Sequence, residues 1–146
     1  METVTARRTF DSDLSAMVAR CRTLDSRKLW PGAVLSYGRP DTLGYTLAMR
    51  LKKVGTMTDL EIEEKLGPVE EAQGAQEFKV AQRLTWPDGH ADAQGHYRFV
   101  PGTPNTIEFT YLYEPPSTKL IKTKELPAFH SSMELVIGKY LERLTR

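Results

Sequence analysis

Residues 105–114 read NTIEFTYLYE and residues 127–146 read PAFHSSMELVIGKYLERLTR, and these two segments decide the fold. The first segment alternates apolar and polar residues, which is the period of a strand with one buried face. The second segment places apolar residues three and four positions apart, which predicts one amphipathic helix beginning near Pro127. A sheet must cover its apolar face, and this helix is the only element long enough to do so.

Upstream of residue 105 the same alternation runs back almost to residue 33, interrupted by Gly, Pro and Asp at turns. Short connections between the strands imply antiparallel pairing. The longest predicted loop covers residues 67–75, and residues 117–124 form either a short helix or an irregular approach to the last helix. The predicted strands are 2–10, 33–38, 43–52, 57–66, 76–86, 90–100 and 105–114.

Two short helices are predicted between the first two strands. Asp11-Ser12-Asp13 offers N-cap side chains for a helix over residues 12–22. Residues 25–30 form the second helix, and Pro31 ends it because proline disfavours helix in the residue before it. The sequence therefore predicts an α+β fold, with a curved seven-stranded antiparallel sheet wrapped round a long C-terminal helix.

Composition limits the class of protein. The chain has 146 residues, of which 40% are hydrophobic and 27% charged, so residues 1–146 are expected to form one globular domain. No apolar run exceeds Ala16–Ala19, whereas a membrane helix needs about 20 apolar residues. Neither membrane insertion nor a secretion signal is expected. Cys21 is the only cysteine, so no internal disulfide can form and a cytoplasmic location is expected.

The overall charge is balanced, with 20 Lys and Arg against 19 Asp and Glu, which disfavours nucleic acid as a partner. Locally the signs separate. Residues 59–77 hold seven acidic residues and one basic residue, and residues 117–146 hold six basic residues and three acidic ones. The preferred interpretation is a solvated strand face and a solvated helix face. The alternative is an acidic surface on which another protein docks.

Three segments resemble the START-related superfamily, also called SRPBCC, and in particular its polyketide cyclase/dehydrase-like and coenzyme-Q-binding branches. Residues 29–34, LWPGAV, are similar to the family's Trp-Pro-Gly segment at its second strand. Residues 95–101, GHYRFVP, and 106–111, TIEFTY, are similar to its last two strands. Pro115-Pro116 and the long helix that follows are similar to the C-terminal part of the family's fold. Lipocalin-type barrels and nuclear-transport-factor-type cones are the alternative folds.

The resemblance implies a helix-grip architecture, in which the sheet wraps the last helix and leaves an apolar cavity for lipids, quinones or polyketides. The inward rows of the strands supply apolar walls for such a cavity. Alternation alone fits a packed core as well as a hollow one. The inward rows are Tyr45/Leu47/Met49/Leu51, Leu60/Ile62, Phe78/Val80/Leu84/Trp86, Tyr97/Phe99 and Ile107/Phe109/Tyr111/Tyr113.

Three polar residues continue these apolar rows, and an unpaired buried polar group costs about 1–3 kcal/mol. Gln82 lies between Val80 and Leu84 and is a candidate donor to a ligand carbonyl, or equally a core residue. Glu64 and Arg8 either neutralise each other inside the cavity or lie in water at strand ends. The second interpretation is preferred for these two.

The predicted ligand-binding set combines polar groups with apolar walls. Tyrosine hydroxyls would orient an oxygenated ligand or bond backbone at the rim of a filled core. His130 is either a general acid at the cavity mouth or, as preferred, a surface histidine paired with Glu134 one turn later. The set comprises Gln82, Tyr97, Phe99, Phe109, Tyr111, Tyr113, His130, Met133 and Ile137.

No metal site or cofactor is predicted. His90 and His96 share one strand face with Asp92, but six residues of strand separate the histidines by about 20 Å, too far for one ion. Cys21 has no histidine near it in sequence, so it is expected to be a small buried residue rather than a nucleophile. Trp30 and Trp86 are expected to anchor the core or turns. No nucleotide-binding, zinc-protease or paired-cysteine motif is present.

The leading functional hypothesis is binding of a hydrophobic small molecule without a covalent step. The second is a cyclase/dehydrase-type enzyme, in which the same cavity folds a substrate and His130 or a glutamate moves protons. The third is an interaction module with a closed cavity and an unidentified protein partner. The sequence leaves open whether the chain is an enzyme.

Overall fold

The computed structural model describes residues 1–31, 33–38, 44–53, 56–86, 89–114 and 126–146. Within them the chain forms eight strands and three helices. The strands are β1 (Glu2–Phe10), β2 (Ala33–Gly38), β3 (Gly44–Lys53), β4 (Thr56–Leu66), β5 (Glu70–Ala72), β6 (Ala75–Trp86), β7 (Gly89–Val100) and β8 (Asn105–Tyr113). The helices are α1 (Leu14–Cys21), α2 (Leu24–Arg27) and α3 (Leu126–Leu144).

These elements confirm the predicted α+β class, the antiparallel sheet, the long C-terminal helix and the two short helices after the first strand. The predicted capping of α1 is also correct, because the Asp13 side chain accepts a hydrogen bond from the backbone N–H of Ala16 at 3.1 Å. Thr23 caps α2 in the same way, through Ser26 N–H at 3.2 Å. The α2 helix ends at Arg27, earlier than the predicted residue 30.

The strands are ordered β1-β8-β7-β6-β4-β3-β2 in one antiparallel sheet. Neighbours in this order are mostly neighbours in sequence, as expected for hairpins. There are two exceptions. β4 pairs with β6 although β5 lies between them in sequence. β1 pairs along its whole length with β8, from Glu2 opposite Tyr113 to Phe10 opposite Asn105. The first and the last of the described strands therefore lie side by side at one edge of the sheet.

The predicted count of seven strands is one too few, because β5 lies within the predicted loop 67–75. It pairs with β6 through Ala72 opposite Ala75. The two residues between them, Gln73 and Gly74, have φ of 54° and 78°. Positive φ at both central residues is the geometry of a tight hairpin turn, and Gly74 adopts it without steric cost.

One face of the sheet, here called the inner face, packs against the C-terminal half of α3. Ile137, Tyr140, Leu141 and Leu144 of α3 are fully buried there. The predicted inward residues of β6, β7 and β8 whose side chains are described are buried, except that Leu84 is half-buried. Buried rings stack: Phe78 lies on Tyr97 with centroids 4.6 Å apart, and Trp30 lies on Tyr140 at 4.5 Å.

Several predictions fall outside the described residues. These are the helix or approach at 117–124, the turns at 39–43, 54–55 and 87–88, and the inward side chains of 45–51, Leu60 and Trp86. No helix in the described part of the chain is long and apolar enough to cross a membrane.

The acidic segment 59–77 does not form one solvated face. Glu61, Glu63, Glu70 and Glu71 are exposed, but Glu64 is 2% exposed and lies on the inner face. Glu77 is half-buried and pairs with Arg98 at 3.2 Å. An acidic docking surface would therefore lack two of the carboxylates that the sequence assigned to it.

Two glycines should respond oppositely to substitution by alanine. A Cβ on Gly95 would lie 2.7 Å from Val80 Cγ2 and 2.9 Å from Phe109 Cε2. Gly95→Ala should therefore lower the free energy of unfolding by about 1–3 kcal/mol. A Cβ on Gly138, inside α3, would approach only the flexible end of Arg8, at 3.3 Å. Gly138→Ala should raise the same free energy by about 0.5–1 kcal/mol. Urea unfolding of both variants measures the difference, and equal effects would contradict this packing.

Candidate functional site

The interior of the molecule contains polar side chains. Ser26, Arg27, Glu64 and Gln82 are at most 6% exposed, although they come from α2, β4 and β6. Because burying an unpaired polar or charged group is costly, each of these side chains requires a partner inside the structure.

Arg27 and Glu64 form a buried ion pair. Nε of Arg27 donates to Oε1 of Glu64 at 2.7 Å, and Nη2 of Arg27 lies 2.7 Å from the same oxygen. Nη1 of Arg27 donates to the Cys21 carbonyl at 2.7 Å and to Ser26 Oγ at 2.8 Å. It also donates to the Tyr140 hydroxyl of α3 at 3.0 Å. One guanidinium thus joins α2 to the sheet and to the last helix.

Hydrogen bonds extend this pair in two directions. Nε2 of Gln82 donates to Glu64 Oε2 at 2.8 Å, and Tyr111 donates its hydroxyl proton to Gln82 Oε1 at 2.6 Å. On the other side the hydroxyls of Tyr140 and Tyr97 are 2.9 Å apart. We call the connected set the buried polar network. Its members are Arg27, Glu64, Gln82, Tyr97, Tyr111 and Tyr140.

Strand register and helix capping explain this assembly. Glu64 of β4 lies directly opposite Gln82 of β6, so their side chains are neighbours on the inner face. Arg27 is the last residue of α2, whose start is fixed by the Thr23 cap. Trp30 follows and stacks on the Tyr140 ring. The short helix is therefore anchored on both sides of the arginine.

Burial and nearby charge determine the protonation of the network. Burial alone would lower the pKa of Arg27, but the oxygens of Tyr140, Tyr97 and Glu64 hold that pKa well above its ordinary value. Burial also raises the pKa of Tyr97 and Tyr111, and it raises the pKa of Tyr140 to about 12. At neutral pH the arginine is therefore charged and the three phenols are protonated.

His130 and Tyr113 form a second polar contact, at the N-terminal part of α3. The Tyr113 hydroxyl and His130 Nδ1 are 2.7 Å apart. His130 Nε2 lies 3.3 Å from Glu134, and its Nδ1 lies 3.9 Å from Glu2. Burial, together with the Glu2 and Glu134 carboxylates, raises the pKa of Tyr113 to about 12. The predicted pairing of His130 with Glu134 is confirmed, and Tyr113 is an additional partner.

The structure divides the predicted ligand-binding residues into three groups. Gln82, Tyr97 and Tyr111 belong to the buried polar network, where they bond one another or other core residues. Tyr113, His130 and Met133 lie at the N-terminal part of α3 or opposite it, and Met133 is half-buried. The third group consists of the fully buried residues Phe99, Phe109 and Ile137. Contact of any of these nine with a ligand stays a prediction.

The preferred prediction for Glu64, exposure at a strand end, is wrong. Glu64 lies inside β4, which continues through Leu66, and Arg27 compensates its charge. The same prediction is correct for Arg8, which is exposed and donates to the Arg7 carbonyl at 2.7 Å. Arg8 does not neutralise Glu64 as the other interpretation supposed.

Sequence reasoning did not identify Arg27 or Tyr140 as site residues. Arg27 lies in the polar stretch Ser26-Arg27-Lys28, which has the composition of an exposed turn. Tyr140 fits the apolar stripe of α3 and gives no separate signal. The usable signal was Glu64 itself, because a carboxylate in an apolar row requires a cation somewhere in the chain.

The candidates for metal binding and nucleophilic chemistry lead to no site. His90 and Asp92 are exposed on the outer face, and no group of ligands suited to a metal occurs among the described residues. Cys21 is fully buried, and burial raises its pKa to about 12. A thiol with that pKa is not a nucleophile at neutral pH, which agrees with the predicted role as a core residue.

The fold is similar to several solved structures. A conserved protein from Geobacillus kaustophilus superposes with a TM-score of 0.79 at 9% identity, covering 99% of this chain and 93% of that one. A START superfamily protein from Mycobacterium smegmatis gives 0.58 at 11%, with 98% and 99% covered. The fold is START-like. The Zhui aromatase/cyclase from Streptomyces sp. R1128 gives 0.55 at 12%, with 97% and 92% covered.

These likenesses support the predicted resemblance to the START and polyketide cyclase-like folds. At such low identity they establish the architecture alone. No protein-family model matches the sequence, and no curated protein matches it significantly.

The ion pair predicts a non-additive effect of mutation on stability. Arg27→Met should lower the free energy of unfolding by about 3–5 kcal/mol, because it leaves Glu64 buried without its cation. Arg27→Met combined with Glu64→Leu removes both charges and should cost less than about 2 kcal/mol, chiefly from the acceptor that Gln82 loses. The exposed pair Arg83–Asp92 is the control. The same double change there should stay within about 1 kcal/mol of the native protein. If urea unfolding shows that the double variant loses as much free energy of unfolding as Arg27→Met and Glu64→Leu lose together as single variants, the ion pair is contradicted.

The buried phenols predict loss of stability at alkaline pH. The folded pKa of Tyr140, about 12, exceeds its ordinary value of 10.0, and Tyr97 and Tyr111 shift in the same direction. The unfolded chain therefore releases protons first as the pH rises. The stabilisation should be complete below pH 10.0 and should fall as the pH approaches about 12. Tyrosinate absorbance and circular dichroism test this together. Full titration of these phenols near pH 10.0 with the fold intact would contradict it.

Proposed function

We propose that the chain binds a hydrophobic small molecule between the inner face of the sheet and α3. In this proposal residues 1–146 form one START-related domain, and the sheet curves round α3 in the helix-grip manner. The ligand belongs to the lipid, quinone or polyketide-like class. The START-like fold supports the architecture, and the composition of the inner face supports the kind of ligand.

The buried polar network is the observation that carries the proposal. A core built only for stability is served best by apolar residues, and replacing a buried ion pair with them is often neutral or stabilising. Here a guanidinium, a carboxylate and an amide lie at most 6% exposed among stacked aromatic rings. Fixed polar groups in apolar surroundings are what a site needs to orient a mainly apolar ligand that carries oxygen.

Affinity in such a site comes chiefly from removing apolar ligand surface from water. That burial contributes about 25 cal/mol per Å², from which the cost of ordering the ligand is subtracted. Phe99, Phe109 and Ile137 provide apolar contacts in this proposal, and Gln82, Tyr97 and Tyr111 provide polar ones. No covalent step is needed.

A cyclase/dehydrase-type reaction is the second candidate, and the contact between Tyr113 and His130 favours it. The ring of Tyr113 is buried, while its hydroxyl lies 2.7 Å from a half-exposed imidazole. A phenol and an imidazole in contact can pass a proton between an interior group and solvent. Loss of turnover in His130→Ala with binding retained would favour this candidate over simple binding.

The experiment for ligand binding has two parts. The purified protein is extracted with organic solvent, and the extract is analysed by mass spectrometry. The protein is also titrated with fatty acids, quinones and polyphenols while tryptophan fluorescence is followed, to which Trp30, stacked on Tyr140 of α3, contributes. We expect a copurified ligand or saturable binding from this panel. An empty extract and no binding would contradict the proposal.

Two substitutions in α3 locate the site. Met133 is half-buried, whereas Leu135 is 67% exposed on the same helix. Met133→Trp should fill space beside the inner face and weaken binding about tenfold, which corresponds to about 1.4 kcal/mol. Leu135→Trp adds the same bulk on the solvent side and should leave binding unchanged. Equal effects of the two variants would place the ligand elsewhere.

A further inference from the structure

The strand β1 forms one edge of the sheet. It pairs with β8 along its whole length, and the strand order places no other described strand beside it. An open strand edge carries a row of backbone N–H and C=O groups that can pair with a further strand. Because β1 is nine residues long, its edge offers room for a complete ladder with such a strand.

The side chains of β1 on the inner face form a row with a charge at either end. Glu2 and Arg8 are exposed, whereas Val4 between them is 4% exposed and Ala6 is half-buried. The row from residue 2 to residue 8 therefore begins with a carboxylate, continues through two apolar side chains and ends with a guanidinium.

Both charges are available to a partner from outside the chain. Nη1 of Arg8 donates to the Arg7 carbonyl at 2.7 Å, and its Nη2 donates to the Gly138 carbonyl at 3.5 Å. The described residues thus give Arg8 backbone acceptors and no carboxylate. The Glu2 carboxylate lies 3.9 Å from Nδ1 of His130, which is an ion pair only while that imidazole is protonated.

An antiparallel copy of β1 is complementary to this row. When Thr5 lies opposite its own counterpart, Glu2 lies opposite Arg8, and the two-fold axis generates this pair twice. Val4 lies opposite Ala6 in the same register. Opposite charges and apolar pairs placed directly across two strands stabilise their pairing.

Other registers lose this match. A shift of two residues in either direction places Glu2 opposite an apolar residue and leaves Arg8 without a carboxylate across from it. A shift of one residue places the inner face of one copy on the outer side of the other. The sequence of β1 thus specifies one register.

Charge also selects the partner. Charged side chains on an edge strand discourage pairing with strands of unrelated sequence, because a charge without a complement loses water and gains nothing. A second copy of β1 brings the complement of both charges. The edge therefore suits this chain itself better than an arbitrary apolar strand.

We propose that β1 pairs antiparallel with β1 of a second copy of this chain, about a two-fold axis at Thr5. The two sheets then form one continuous sheet, with both α3 helices on the same side. A single pair of strands buries a small area, so the dimer is reversible and its fraction rises with protein concentration. This inference goes beyond the proposed function and does not depend on it.

Charge reversal tests the interface by sedimentation equilibrium. Glu2→Arg and Arg8→Glu each place two like-charge pairs across the axis, so each should weaken dimerisation at least about tenfold. The double variant Glu2→Arg with Arg8→Glu restores both pairs with the signs exchanged and should dimerise nearly as the native protein does. Arg20→Glu, at an exposed position of α1, changes the net charge as Arg8→Glu does and should leave dimerisation unchanged.

A mixture of the two single variants gives the sharpest result. In a mixed dimer the two arginines of one variant face the two glutamates of the other, so both pairs are attractive. Native mass spectrometry should therefore show mixed dimers in an equimolar solution, although each variant alone is chiefly monomeric. Misfolding of a variant would not produce this gain, and circular dichroism verifies that both are folded.

Cross-linking locates the axis. Opposite Cα atoms of an antiparallel pair are about 4.5–5.5 Å apart, which a disulfide can span. Thr5→Cys should therefore form a covalent dimer under mild oxidation. Thr9→Cys, also exposed in β1, lies about 27 Å from its counterpart and should not. Cys21 is fully buried and does not contribute.

Three outcomes would overturn this inference. They are a native protein that is monomeric at every concentration, a dimer that survives both single charge reversals, and equal cross-linking through Thr5→Cys and Thr9→Cys. Absence of mixed dimers from the solution of the two single variants would overturn it too. None of these results bears on ligand binding, which the analysis of the solvent extract measures separately.

Discussion

The ion pair between Arg27 and Glu64 is the interaction on which the interior depends. Taking two charges out of water costs several kcal/mol per ion, and mutual attraction offsets that cost only when the remaining donors and acceptors are also satisfied. Groups from many elements meet most of this condition, and Nη2 of Arg27, which makes no hydrogen bond, stays in ionic contact with Glu64 at 2.7 Å. The Cys21 carbonyl, Gln82 and Tyr140 all bond one member of the pair. The pair therefore fixes how α2, the sheet and α3 are placed relative to one another.

The aromatic rings and the polar groups of this core contribute in different ways. Stacked rings such as Phe78 on Tyr97 supply contact area without directional demands. The guanidinium, carboxylate and amide supply direction, because each polar atom accepts only a narrow range of geometries. A ligand selected by rings alone would be chosen by shape. In the proposed function, a ligand that must also match a fixed polar group is selected by the position of its oxygen as well as by its shape.

More of the fold than of the candidate site could be predicted from the sequence. Alternation and helical spacing located the seven long strands and α3 because each pattern is local. The turn at Gln73–Gly74 was missed because its strand, β5, is only three residues long. The role of Glu64 was misjudged because the period of a strand shows which face a residue is on and not what it meets there. Arg27, its partner, lies 37 residues away, and only tertiary structure brings the two together.

The pairing of β1 with β8 has a consequence for how the chain is made. Glu2 lies opposite Tyr113, so β1 has no neighbour in the sheet until the distant strand β8 has also been synthesised. Hairpins such as β6 with β7 can form during translation, since their contacts are close in sequence. The N-terminal segment must wait in an unpaired state, and its Arg7 and Arg8 discourage association with other exposed strands during that interval. Completion of the sheet therefore depends on a pairing between strands that are far apart in sequence.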